Sequence, residues 1–332
     1  MKFLRQLVLS AYPDYAAPLE IPAIPIVGIE CDSRKVEKNF IFIAVRGVHQ
    51  DGRKFLAEAV ARGASAIVMD SKPESPFSVP VVQLPESREA VSRLSGAFYD
   101  HPSKMMKMVG ITGTNGKTTT AYLLEHILKS QKIASGVFGT VNYRFGTVEI
   151  PAALTTPEPL KLQQILSQMC EAACRVVTME VSSHALDQKR VEGILFHTAV
   201  FTNLTQDHLD AHGDFETYFK AKATLFTSLS SSGFAVINAD DDWGQRLVKM
   251  TPAKVLTFGI NKPADYQARL VQKTFGETKV ELTFSGQKVL LSLPMMGTHN
   301  IYNALGAVAA ADTLGISPEK AVQSLQNFPG VP

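Results

Sequence analysis

Cysteine is scarce in this chain of 332 residues: Cys31, Cys170 and Cys174 form an odd set without framework spacing. No disulfide scaffold can be built from them, which fits a reducing compartment. Cys170 and Cys174 stand one helical turn apart, yet no histidine or further cysteine follows at a ligand spacing. Buried thiols are therefore expected rather than a metal site. Excess charge of either sign is also missing, since 33 basic against 31 acidic side chains leave +2. With no basic run interleaved with aromatics, nucleic acid is not an expected partner. Nowhere do about 18 apolar residues run together, and the opening residues offer only Leu7-Val8-Leu9, too short for a signal-peptide core. No membrane insertion is expected, and a cytoplasmic location is.

What is present is a folded composition, 45% hydrophobic and 19% charged, in a chain long enough for two cores. From Ile26 to Val82, β runs alternate with one helical stretch: Phe40 to Val45, then helical Phe55 to Arg62, then Ala66 to Met69 and Val81-Val82. That is a small α/β unit. Two polar segments interrupt it, Cys31-Asp32-Ser33-Arg34 and Gly47-Val48-His49-Gln50-Asp51-Gly52-Arg53; surface loops are their plain reading. Glu86 to Tyr99 reads as an amphipathic helix, and Asp100-His101-Pro102-Ser103 ends it. A first domain over residues 1–103 follows.

The second domain, expected over 104–328, opens on residues 108–120, Met-Val-Gly-Ile-Thr-Gly-Thr-Asn-Gly-Lys-Thr-Thr-Thr. Val109 and Ile111 end a buried strand, Gly113 and Gly116 turn the backbone, and Lys117 opens a helix. Strand, glycine turn and helix N-terminus in that order make a phosphate cradle, although the usual four-residue spacing between the glycines is shortened. Lys117 would reach the outer phosphates and Thr118 would offer its hydroxyl to the magnesium ion that accompanies ATP. Further strands at 176–181, 198–201, 234–237 and 255–258, separated by helical patterns at 158–174 and 215–229, argue for a mostly parallel sheet covered on both faces. Gln267 to Leu293 alternates like an antiparallel edge ribbon, and helices at 301–314 and 318–325 close the domain. Residues 329–332 read as the start of a linker, with a further domain expected beyond it.

Ligands collect at the carboxyl ends of parallel strands. Glu180 closes one apolar run and is followed by Val181-Ser182-Ser183-His184; another ends in Thr202-Asn203-Leu204-Thr205-Gln206-Asp207-His208. A carboxylate and an imidazole facing a phosphate cradle suit magnesium-dependent phosphoryl transfer, though Glu180 could equally be an exposed strand-end carboxylate and His208 a helix-capping or merely solvated residue. Lys222 sits among Tyr218, Leu225 and Phe226 on the inward side of a helix. Periodicity alone makes it a snorkelling lysine, while an amine buried near cations could instead take up carbon dioxide as a carbamate.

Taken together, the strings at 110–120, 180–190, 202–213, 218–222 and Gly297-Thr-His-Asn-Ile-Tyr-Asn303 resemble the Mur ligases of peptidoglycan synthesis. The resemblance covers nearly the whole chain from Asp32 onward. It implies an ATP- and Mg2+-dependent amide ligase, with Gly113, Thr114, Asn115, Gly116, Lys117, Thr118 and Thr119 on the phosphates and Asn300 and Asn303 toward the adenine. One magnesium would be held by Thr118 and Glu180, the second by His208 and Lys222 as N6-carboxylysine, and Lys117, Glu180, His208 and Lys222 would carry catalysis. Cys31, Ser33 and Val48-His49-Gln50 would receive the uridine diphosphate end of the substrate, displacing the plain loop reading. Thr155, Thr156, Ser182, Gln188 and Arg190 would hold its muramoyl dipeptide; Leu154 departs from an asparagine common there.

The partners so implied are UDP-N-acetylmuramoyl-L-alanyl-D-glutamate and a diamino acid, meso-diaminopimelate rather than L-lysine from the look of the Val48–Arg53 turn. A third, Rossmann-like domain of the family, which selects the incoming amino acid, is expected to be absent from this chain, leaving binding without turnover. The alternatives are a folylpolyglutamate synthetase-like ligase, which should lack the uridine-binding unit, and a nucleotide-binding module without catalysis.

Overall fold

A computed structural model describes residues 2–15, 20–47, 51–73, 75–205, 214–274 and 276–331. The chain divides into two compact units. The first gathers Met1–Pro102, Glu158–Gln168 and Gln188–Ile194; the second holds Ser103–Pro157, Met169–Asp187 and Leu195–Pro332.

In the first unit, β1 (Lys2–Phe3) pairs antiparallel with β2 (Pro25–Ile26), and α1 (Leu4–Ala11) buries Leu4, Leu7, Val8 and Ala11 along one helical stripe. Four parallel strands follow in sequential order, β3 (Gly28–Glu30), β4 (Phe40–Ile43), β5 (Ala64–Met69) and β6 (Val81–Gln83). Their alternation serves two cores. Ile41, Ile43 and Val68 pack with Leu7, Val91 and Leu94 of α1 and α3 (Ser87–Phe98), while Phe42, Ile67 and Met69 pack with Leu56 and Ala59 of α2 (Leu56–Ala61). Residues 188–194 are tied to α3 by the Ser92 hydroxyl, which donates to Lys189 O at 2.5 Å, and by an Arg93–Glu192 ion pair at 3.1 Å. Such an excursion cannot be seen when a chain is cut into consecutive blocks.

The second unit is built on an eleven-stranded sheet. In chain order its strands are β7 (Lys107–Thr112), β8 (Ser135–Phe138), β9 (Asn142–Phe145), β10 (Val148–Pro151), β11 (Val176–Glu180), β12 (Phe196–Phe201), β13 (Phe234–Asn238), β14 (Lys254–Gly259), β15 (Tyr266–Thr274), β16 (Glu277–Phe284) and β17 (Gln287–Leu293). Their order in space is β10-β9-β8-β11-β7-β12-β13-β14-β15-β16-β17. Pairing is parallel from β8 to β15 and antiparallel at both margins. The central strand β7 has both faces covered. Val109 and Ile111 face the helices α4 (Lys117–Ser130), α9 (Thr298–Thr313) and α10 (Pro318–Leu325). Gly110 points the other way, where a side chain would run into Phe196 and Leu225; this lets α7 (Phe215–Thr227) lie close on that face. Two shorter helices, α6 (Ser183–Asp187) and α8 (Asp242–Val248), follow β11 and β13, and α5 (Pro159–Glu171) precedes β11.

Thr278, Val280, Leu282 and Phe284 alternate with the less buried Lys279, Glu281 and Thr283 in β16, so the period-two pattern of the ribbon is realised. The edge formed by β8, β9 and β10 is absent from the sequence reading. Each of these strands is four residues long, and β9 places a charged residue inward. Arg144 is buried there because Glu125 of α4 receives its Nε at 3.0 Å and Nη2 at 2.5 Å, while its guanidinium lies 4.0 Å from the Tyr122 ring centre. Among buried pairs of this kind, removal of one partner costs about 3 kcal/mol, because the other is left charged and dry. No helix among the described residues is long and apolar enough to cross a membrane.

Candidate functional site

The turn between β7 and α4 needs glycine at both ends. Gly113 has φ +147°, and a side chain there would collide with the Thr202 hydroxyl; Gly116 has φ +88°, and a side chain would collide with the Asn303 amide oxygen. The register sets Glu180 opposite Ile111 and Phe201 opposite Thr112, so the ends of β11 and β12 flank the turn.

The segment after β12 grips the apex of the turn. Thr114 N donates to Asn203 O at 2.9 Å, Asn115 N to Asn203 Oδ1 at 3.0 Å, and Asn203 Nδ2 to Asn115 O at 3.1 Å. Thr202 Oγ1 adds a bond to Asn115 O at 2.6 Å, and Thr205 N one to Thr114 Oγ1 at 3.0 Å. The amides of Thr114 and Asn115 are thus directed at Asn203. The anion-attracting end is that of α4, where the first intrahelical donor is Thr120 N to Gly116 O at 2.9 Å.

Beside that helix end lies a cavity of about 260 Å³, lined by Gly116, Lys117, Thr118, Thr140, Thr155, Glu180 and Ser182 among others. Glu180 is buried, receiving Thr118 Oγ1 at 2.8 Å, Thr140 Oγ1 at 3.0 Å and Thr140 N at 3.0 Å. One carboxylate and two hydroxyls make an all-oxygen set. It suits a magnesium ion that takes its remaining ligands from phosphate and water; among the described residues no group of three His, Cys, Asp or Glu gathers to hold a metal alone. Lys117 Nζ donates to Gly113 O at 2.9 Å and Thr114 O at 2.8 Å, which sets its charge over the turn.

Lys222 does not snorkel. It is 1% exposed, its Nζ donates to Gly113 O at 3.0 Å, and the Tyr218 ring centre is 4.3 Å away. α7 packs against β7 at Gly110, where a side chain would meet its Leu225, and from this helix Lys222 reaches the first glycine carbonyl. Thr156 is also buried, accepting from Ser182 N at 3.1 Å and donating to Glu180 O at 2.8 Å, whereas Thr155 and Ser182 line the cavity. His208 lies outside the described residues.

A larger cavity of about 640 Å³ adjoins the same helix end and is lined by Asn115, Gly116, Thr119, Asn203, Thr205, Asn238, Asp240, Asp241, His299, Tyr302 and Asn303. Asn300 is not on its surface. Its Oδ1 accepts from Asn303 Nδ2 at 3.1 Å and its own amide donates to Met296 O at 2.8 Å, so it holds Asn303 in place. The sequence reading stops at Ile237 and misses Asn238, Asp240 and Asp241. The signal was a polar cluster at the carboxyl end of a parallel strand, the same one that singled out Glu180. Asn238 donates to Thr202 O at 2.8 Å, and Asp241 accepts from Leu204 N at 2.9 Å while capping α8. Burial pushes the Asp241 carboxyl up against the pull of the Leu204, Gly244 and Trp243 amides.

Within the first unit, Ser33 donates to Glu58 at 2.8 Å, and burial, followed by the charges of Glu30 and Glu158, pushes the Cys31 thiol up. Val48, His49 and Gln50 lie outside the described residues. Arg190 pairs with Glu158 at 3.0 Å and with Gln188 Oε1 at 2.6 Å. Gln188 and Arg190 thus belong to the first unit, and Thr155, Thr156 and Ser182 to the second.

A mostly parallel sheet, a glycine turn opening a helix at its carboxyl edge, and a buried carboxylate on the neighbouring strand define the second unit as a phosphate-loop α/β protein. The Mur ligase middle domain matches residues 111–311, and the Mur ligase family catalytic domain matches residues 25–99. The chain belongs to the Mur ligase family. It is 43% identical over 314 residues to a UDP-N-acetylmuramoyl-L-alanyl-D-glutamate--2,6-diaminopimelate ligase of Gloeobacter violaceus, covering 94% of this chain and 64% of that one. A protein of the same name from Geobacter metallireducens is 41% identical over 303 residues, 90% of this chain and 59% of the relative. The chain therefore spans about three fifths of the length of these curated relatives. A solved structure, again of a UDP-N-acetylmuramoyl-L-alanyl-D-glutamate--2,6-diaminopimelate ligase, superposes with a TM-score of 0.84 at 28% identity, covering 98% of this chain and 67% of that one.

Proposed function

We propose that this protein acts in peptidoglycan synthesis as the ATP-dependent ligase that joins a diamino acid, meso-diaminopimelate, to UDP-N-acetylmuramoyl-L-alanyl-D-glutamate. The observation that carries the reading is the convergence of Lys117, Thr118, Glu180 and Lys222 on one glycine turn, in a chain whose relatives bear that ligase's name. L-Lysine is the competing amine.

In this reading the N-terminus of α4 and Lys117 bind the ATP phosphates and hold the γ-phosphoryl group in line with the D-glutamate carboxylate. A carboxylate oxygen attacks phosphorus and ADP departs, leaving an acyl phosphate. The amine then adds to the acyl carbon, loses a proton, and phosphate leaves as the amide forms. Magnesium, held by Thr118 and Glu180 and in a second site by His208 and Lys222 as N6-carboxylysine, would neutralise charge on the transferring group. Asn303 lies toward the adenine, with Asn300 behind it. Cys31, Ser33 and Val48-His49-Gln50 receive the uridine diphosphate, and Thr155, Ser182, Gln188 and Arg190 the dipeptide, with Thr156 shaping the strand end. The cytoplasm, where ATP and nucleotide sugars are available, is the proposed location.

Calorimetry tests the substrate directly. UDP-N-acetylmuramoyl-L-alanyl-D-glutamate is expected to bind this chain, with UDP-glucose and folate as non-binding controls. In the full-length gene product, phosphate release should require ATP, the nucleotide dipeptide and meso-diaminopimelate together. Release that proceeds with L-lysine alone would reassign the amine, and folate binding in place of the nucleotide dipeptide would reassign the substrate.

A further inference from the structure

Asp240 is half-buried and lines the larger cavity, yet its carboxylate is committed to the protein. Its Oδ2 accepts from the amides of Ile260 at 2.7 Å and Asn261 at 2.9 Å and from the Tyr302 phenol at 2.7 Å, while its Oδ1 accepts from Lys262 N at 2.6 Å. Burial alone would raise this carboxyl; the Asn261, Ile260 and Lys262 amides and the Tyr302 hydroxyl outweigh it and hold the group below the usual carboxylate range. The Tyr302 phenol is pushed up, by burial and then by Asp240, and so stays a donor. Its oxygen also lies 3.2 Å from Asn261 Nδ2, which donates to it. The end of β13, the turn after β14 and the first turns of α9 are joined through this one carboxylate.

Tyr302 and Asn303 are consecutive on α9, and both line the cavity. Asn115, Gly116 and Thr119 line both this cavity and the smaller one beside Glu180. A triphosphate on the end of α4 would therefore have its nucleoside within reach of Tyr302. An aromatic ring with a neighbouring carboxamide, in a cavity of about 640 Å³, matches a flat heterocycle carrying both donors and acceptors.

We propose that Tyr302 forms a wall of the nucleobase pocket and that Asp240 is the positioning residue that fixes it, so that this pair sets affinity for the base separately from the phosphates. The inference rests on the reading that the glycine turn binds ATP. Two probes divide the contributions, ATP and inorganic tripolyphosphate, each with magnesium and each titrated calorimetrically into this chain. Tyr302→Ala is expected to weaken ATP by about tenfold or more, the worth of one stacked base, and to leave tripolyphosphate unchanged. Tyr302→Phe keeps the ring and loses the hydroxyl's bonds with Asp240 and Asn261, with an expected loss for ATP of about threefold. Asp240→Asn places a donor against the amides of the 260–262 turn and should fall between the two.

A general lesion of the fold would weaken both probes alike, and equal weakening overturns the inference. So does ATP binding that Lys117→Ala abolishes but Tyr302→Ala leaves within about twofold of the parent. If the unsubstituted chain binds neither probe, the ATP reading fails and takes this inference with it.

Discussion

Replacing Lys117 with alanine is expected to weaken MgATP binding by roughly a hundredfold, about 3 kcal/mol, the worth of a charge-assisted contact to phosphate. The amine is fixed over the turn by Gly113 O and Thr114 O, so little ordering remains to be done when phosphate arrives. Tripolyphosphate should lose affinity equally, because the lysine addresses phosphate and not the base. The nucleotide dipeptide should bind as before. Unchanged ATP affinity in this variant would remove the turn from the nucleotide site.

The larger effect on turnover is expected at Lys222. Its alanine variant should lose acyl phosphate formation by about a thousandfold or more in the full-length gene product, with ATP affinity altered by less than about tenfold. The proposed reason is chemical: a buried amine that has added carbon dioxide carries a carboxylate in place of a cation. Short carboxylic acids such as acetate should then restore part of the activity to Lys222→Ala. Because Lys222 also satisfies Gly113 O from within the core, stability is expected to fall by about 1 to 3 kcal/mol, and a thermal melt must accompany the assay. Labelled bicarbonate gives an independent readout, a carbamate carbon resonance present in the parent and absent from the variant. Full activity in Lys222→Ala would eliminate the carbamate whatever the melt shows.

Much of this arrangement was legible because it follows from local rules. Val109, Ile111, the two glycines and Lys117 spell strand, turn and helix within a dozen residues, and Glu180 closes an apolar run where a parallel sheet delivers its strand ends. The hairpin of β9 and β10 was illegible for a physical reason. Arg144 breaks the apolar pattern, and it becomes a core residue through partners on α4, Glu125 and Tyr122. In α1 the helical spacing of Leu4, Leu7, Val8 and Ala11 is masked by the continuous triplet Leu7-Val8-Leu9, which by itself carries no period. Asp240 could not have been assigned a role from its neighbours in sequence, since its donors come from residues 260–262 and 302. The close approach of Leu225 on α7 to β7 depends on a missing side chain at Gly110, a relation that no window along the chain contains.

The grip of Asn203 on Thr114 and Asn115 bears on how a nucleotide would arrive. A glycine turn hanging free would have to be frozen by each incoming ligand at the expense of chain entropy, but this one was frozen once, when the protein folded. Capture can then proceed at the pace of diffusion and orientation, without waiting for the backbone. Deuterium should enter the Thr114 and Asn115 amides equally slowly whether or not nucleotide is bound, and quickening in the empty protein would show that the turn relaxes between ligands.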